Sequence, residues 1–91
     1  MNDMNVNKFY VQILTLIDEV IYSCDPINCK FKIFRLKSVI NEEYKTYLNK
    51  YNGKPITESG QFIIDQYETY FKFLNILENI VNILDKRKLS Q

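Results

Sequence analysis

Apolar residues recur along this chain at helical steps of three and four, most regularly towards its C-terminal end. Between Gly60 and Lys86, Ile63, Tyr67, Tyr70, Leu74, Leu77, Val81 and Leu84 follow one another at alternating steps of four and three. Neither Gly nor Pro interrupts the run, so the pattern predicts one long helix with a continuous apolar seam. Gln61, Asp65, Glu68, Lys72, Asn75, Asn79, Asn82 and Lys86 keep the same spacing on a polar face. Between the two lies a second apolar row of Phe73, Ile76, Ile80 and Ile83. One row suffices to hold a helix in a small bundle, so the second row is surplus.

A first helix is expected from about Asn5 to Ser23, with Val6, Phe9, Tyr10, Ile13, Leu14, Ile17, Val20 and Ile21 on its apolar face. Asn2 or Asp3 is positioned to cap its start. Asp25-Pro26 then reads as an N-cap followed by a first helical residue, where proline's missing N–H costs nothing. The second helix is expected to run from Pro26 to about Tyr51. Ile27, Phe31, Phe34, Ile40, Tyr44, Tyr47, Leu48 and Tyr51 are its expected core face, with Ile33 and Leu36 alongside. That face drifts in register near Ser38 to Asn41, which predicts a kink or a break there. Asn52-Gly53-Lys54-Pro55 ends the helix: Gly53 tolerates a left-handed conformation and Pro55 prevents continuation. Thr57 or Ser59 then caps the third helix. The predicted fold is therefore all-α: a single domain spanning 1–91, an antiparallel bundle of three long helices, or four if the second breaks.

Composition narrows the function classes. A hydrophobic content of 46 % with 25 % charged residues belongs to a globular chain rather than a disordered one. The net charge of +1 gives no overall field towards nucleic acid or anionic lipid. Histidine and tryptophan are absent, which removes the commonest general base and the commonest metal ligand. Alanine is absent too, while Ile, Asn and Lys dominate and Lys far outnumbers Arg. That bias is expected of an AT-rich coding sequence, such as that of a low-GC bacterium, its phage, a large DNA virus or a protozoan. No apolar run approaches the roughly 18 residues of a membrane span. The N-terminal stretch lacks the charged start, apolar middle and cleavage site of a secretory signal. A cytoplasmic location is expected, in the producing cell or an infected host.

Motifs that carry chemistry are few. Cys24 and Cys29 cannot complete a four-ligand zinc set without His or further Cys, and read as small residues at a helix corner. Glu42 with Glu43, and Asp65 with Glu68, are the paired carboxylates; neighbouring lysines and the absence of a Glu-x-x-His pattern make them solvated charges. The glycines stand apart at Gly53 and Gly60, so no phosphate-cradling loop is formed. No catalytic residue, metal, cofactor or small-molecule substrate is therefore inferred. Lys30, Lys32, Arg35 and Lys37 form the one dense basic segment, either a patch for an anionic partner or a face answering acidic neighbours. Reading Lys45 to Phe62 as a helix-turn-helix fails, because the connection is too long and the third helix opens with Glu58 and Asp65.

The surplus row decides the expectation. A non-enzymatic, stoichiometric protein-binding module is expected, whether a small adaptor, an inhibitor or an immunity or counter-defence factor of phage or viral type. Phe73, Ile76, Ile80 and Ile83 are its expected contacts with a second copy or with a protein target. Two alternatives stand beside it: a nucleic-acid-binding regulator using the basic segment, and a structural subunit of a larger assembly.

Overall fold

The computed structural model describes residues 7–22 and 25–90, including the side chains of 8–22 and 25–87. Three helices account for nearly all of them: α1 (Asn7–Tyr22), α2 (Pro26–Asn49) and α3 (Glu58–Ser90). They form a three-helix bundle in which each helix touches the other two. The expected cap at Asn2 or Asp3, and Val6, lie outside the described residues.

Local chemistry sets the boundaries much as expected. The Asp25 carboxylate accepts a hydrogen bond from the Asn28 N–H at 3.1 Å, and Pro26 takes the first helical position. At the other end of α2, Lys50 N–H donates to the Tyr47 carbonyl and Tyr51 N–H to that of Leu48. Asn52 and Gly53 then turn the chain with positive φ, 21° and 86°. The Thr57 hydroxyl accepts from Gly60 N–H at 3.0 Å, so Thr57 caps α3.

Cross-helix ion pairs define the direction of each helix. Lys8 of α1 meets Glu43 of α2 at 2.6 Å, and Lys32 of α2 meets Glu19 of α1 at 2.8 Å. Lys30 meets Asp85 at 2.8 Å, and Lys37 approaches Glu78 at 3.7 Å. α2 is thus antiparallel to both neighbours, and α1 runs parallel to α3. The core between them holds Phe9, Ile13, Leu16 and Val20 of α1 against Cys29, Ile33, Leu36, Ile40 and Tyr47 of α2. α3 closes it with Ile64, Tyr67, Tyr70, Leu74, Leu77 and Val81. Rings also meet there, Phe9 edge-to-face with Tyr70 at 6.3 Å between centroids and Tyr44 tilted against Tyr67 at 5.4 Å.

Two expectations about α2 are corrected. The helix does not break near Ser38–Asn41 but is continuous from Pro26 to Asn49. Nor do Ile27, Phe31 and Phe34 face the core; they are 72, 60 and 67 % exposed. The buried row is Cys29, Ile33, Leu36, Ile40 and Tyr47, whose steps of four, three, four and seven contain no drift. The apparent kink came from joining two different rows. Charge decides between them: Arg35 and Glu42 fall on the same stripe as Phe31, at i+4 and i+11. Burying that stripe would take both charges out of water, at several kcal/mol each, against roughly 1.5–3 kcal/mol gained per buried aromatic side chain.

α1 departs from expectation in the same sense. Leu16 joins the core, while Tyr10, Leu14 and Ile21 stay exposed. The α3 seam holds from Tyr67 to Val81, with Ile64 taking the buried place beside a half-buried Ile63, and Leu84 exposed.

Gly60 has a purpose that helix propensity alone obscures. It is buried under Tyr51, and a Cβ there would run into the Tyr51 hydroxyl and ring. Gly60→Ala is therefore expected to destabilise the fold by about 1 kcal/mol or more, although Ala favours a helix over Gly by roughly that amount. Combined with Tyr51→Ala, the same change should become neutral or stabilising, and urea titrations of the four proteins would measure this reversal.

Candidate functional site

The basic segment does not gather into one surface. Lys30 and Lys37 turn to α3, where they meet Asp85 and Glu78, and Lys37 also donates to the Asn75 side-chain oxygen at 2.9 Å. Lys32 turns the other way, to Glu19 of α1. Arg35 lies between, exposed on the outer side of α2. Three of the four cations thus act as clamps across helix interfaces, each partly exposed and contributing about 0.2–1 kcal/mol. Three of the four candidate carboxylates are engaged as well. Glu43 pairs with Lys8, Asp65 accepts from the Gln61 amide at 2.9 Å, and Glu68 accepts from the Tyr44 hydroxyl at 3.2 Å. Cys29 is a buried core residue and Cys24 lies outside the described residues.

A chain of hydroxyls closes the end of the bundle opposite the first turn. The Tyr47 and Tyr51 hydroxyls are 3.3 Å apart, Tyr51 is 3.4 Å from the Thr57 hydroxyl, and Thr57 is 3.3 Å from that of Ser59. Burial, helped by the hydrogen bond to Tyr51, pushes the Tyr47 phenol up to about 12 from the usual 10. Tyr51 is held below its ordinary value by its bonds to Thr57 and Tyr47. The four hydroxyls join the C-terminal end of α2 to the start of α3 across the connection.

The apolar surplus is more distinctive. Sixteen large apolar side chains are exposed among the described residues, against fifteen in the core. Phe73, Ile76, Ile80 and Ile83 are among them, between 41 and 55 % exposed. The structure separates these four. The edge of α3 towards α2 is marked by Phe71, Asn75, Glu78 and Asp85, which reach Tyr44, Lys37 and Lys30. Phe73 and Ile80 lie on the opposite edge, towards α1, while Ile76 and Ile83 stand further round on the outer face.

α1 answers with a row of its own. Lys8 and Glu19 mark its edge towards α2, and Tyr10, Leu14, Ile17 and Ile21 run along the opposite edge, towards α3. Tyr10 is close enough to Tyr70 that its phenol, after burial, contributes to holding the Tyr70 pKa up. The α1–α3 groove is therefore walled by Tyr10, Leu14, Ile17 and Ile21 on one side and Phe73, Leu77, Ile80 and Leu84 on the other. Both walls step by four, three and four. Leu77 and Ile17 form the floor; the remaining six are exposed rims. The other two interfaces each carry two ion pairs, and none spans α1 and α3 among the described residues.

Sequence reasoning named Phe73 and Ile80 of this surface, and placed Leu77, Leu84 and the α1 residues in apolar core seams. The missed signal is that α1, like α3, carries two parallel apolar rows one residue apart. The exposed Ile27, Phe31 and Phe34 form a separate patch on α2, and Phe34 borders a groove with Lys37, Ser38, Asn41 and Phe71. Between α1 and α2 lies an open groove of about 390 Å³ with mixed lining, from Val11, Leu16, Leu36 and Val39 to Glu19, Lys32 and Arg35. Among the described residues no helix is long and apolar enough to cross a membrane. No family model matches this chain, and no curated protein or solved structure matches it either.

Two outcomes test these assignments. A double-mutant cycle of Lys30→Gln and Asp85→Asn should return a coupling of about 0.2–1 kcal/mol in urea unfolding, as expected of a clamp. The raised Tyr47 value means that the native state favours the neutral phenol. Its stabilisation is complete below about pH 10 and is lost as pH rises towards 12. Tyr47→Phe should therefore flatten the fall of the urea midpoint over that range.

Proposed function

We propose that this chain is a non-enzymatic protein-binding module acting stoichiometrically, as a small adaptor, inhibitor or immunity-type factor does. Its contact surface is the face on which α3 and α1 lie side by side. The observation that carries this reading is the paired apolar walls of the α1–α3 groove, exposed in a bundle whose other two grooves are laced with ion pairs. Tyr10 and Phe73 supply rings of the kind that anchor interfaces, and Leu14, Ile21 and Ile80 surround them with apolar area. Apolar rims at helical spacing suit helices laid along a groove. The engagement of Lys30, Lys32 and Lys37 within the fold argues against a nucleic-acid surface on α2, because a phosphate would have to displace an existing carboxylate partner.

A photo-crosslinking residue placed at Ile80 is expected to give a discrete protein adduct in cells that express the chain. The same residue at exposed Lys45, on α2, is expected to give none. Phe73→Asp should abolish the Ile80 adduct while the circular dichroism stays helical. An absence of adducts, or equal yields from both positions, would overturn the reading.

A further inference from the structure

We propose that the α1–α2 groove is a binding site for a small amphipathic carboxylate. Its head pairs with Arg35 and its apolar body lies between Val11 and Val39. The site stands on the other flank of α1 from the α1–α3 face, so it extends the protein-binding reading without resting on it.

Charge gives the first argument. Two cations, Lys32 and Arg35, line the groove against one carboxylate, Glu19. Glu19 is already engaged by Lys32 at 2.8 Å, whereas Arg35 has no ion-pair partner among the described residues. One guanidinium is therefore left over, and its planar fork matches a carboxylate through two parallel hydrogen bonds.

The rest of the lining asks for more than an anion. Leu16 and Leu36 are buried and form the floor, and Val11 and Val39 stand exposed as the walls. A bare anion on Arg35 would leave the two valines in water, whereas an apolar body attached to it covers them. The volume of about 390 Å³ lies at the small end of the range for ligand sites.

Length decides between a small molecule and a partner helix. Lys8, Gln12, Thr15 and Glu19 form one stripe of α1 at steps of four, three and four, and Lys32, Leu36, Val39 and Glu43 form the matching stripe of α2. The pairs Lys8–Glu43 and Glu19–Lys32 cross from one stripe to the other at their two ends. Between them lies about 17 Å of helix. A helix laid along the groove would have to ride over both ion pairs, while a short chain fits between them. The lining also sets its direction. Arg35 stands one turn from Lys32, so the head belongs at the Glu19–Lys32 end and the tail points towards Lys8–Glu43.

Titration of the isotopically labelled full chain with octanoate, followed by amide chemical shifts, tests this. Saturable shifts are expected at Val11, Thr15, Leu36 and Val39, with a Kd on the order of millimolar, since the ligand is small and the groove open. Octylammonium, with the same tail and the opposite charge, should leave these amides unmoved, and so should acetate at equal concentration. Arg35→Gln should weaken octanoate binding about five- to tenfold. Val39→Asp, which sets a carboxylate in the groove, should abolish it; circular dichroism should stay helical for both variants. Equal shifts from octylammonium or acetate, an unchanged Kd in Arg35→Gln, or shifts centred on Leu14 and Ile80 would overturn the proposal. Movement of the groove amides on raising the protein concentration alone would assign the groove to a second copy and overturn it too.

Discussion

The rotation of α2 about its own axis is the constraint on which the rest of the structure depends. That helix has two apolar rows, one through Cys29, Ile33, Leu36 and Ile40 and one through Ile27, Phe31 and Phe34. The second row is larger in ring area, yet the first is buried, because Arg35 and Glu42 share the stripe of Phe31. With that choice made, Lys30 and Lys37 emerge on the α3 side and Lys32 on the α1 side, each within reach of a carboxylate. The clamps then fix the directions and levels of α1 and α3. Individually such pairs contribute little; what makes the alternative rotation unfavourable is that it would bury Arg35 and Glu42.

A second consequence concerns the surface left over. Charged residues occupy the edges of α1 and α3 that meet α2, and apolar residues occupy the edges where those two helices meet each other. Among the described residues the third interface carries no ion pair, and it continues outward into exposed rims. In a molecule only 54 × 25 × 17 Å, three thin layers of side chain cannot enclose every large residue. The excess is not scattered at random: a contiguous part of it lines one groove, which is why the groove rather than any polar cluster carries the functional reading.

The closed end of the bundle shows how packing can invert a local preference. Gly60 is a poor helix former in the first turn of a long helix, and taken alone it weakens that turn. In the fold it is the gap through which the Tyr51 ring reaches the Thr57 hydroxyl that caps α3. The turn, the cap and the tyrosine chain thereby hold one another in place.

Local sequence rules by themselves determined the helical class, the Asp25-Pro26 start, the Asn52-Gly53 turn and the seam of α3 from Tyr67 to Val81, and left three or four helices open. These follow from local rules: steps of three and four, a capping oxygen, a residue that tolerates positive φ. Periodicity also picked out Phe73 and Ile80 as surplus, because α3 shows two complete rows. Tertiary structure alone decided which of two rows is buried on α1 and on α2, and so which apolar residues remain outside. The physical reason is that burial compares whole faces, including charges such as Arg35 and Glu42 and partners such as Asp85, Glu78 and Glu19 on other helices. A single helix's spacing contains none of that comparison, so Tyr10 and Leu14 read as core and Phe31 and Phe34 read as core until the neighbouring helices assign their sides.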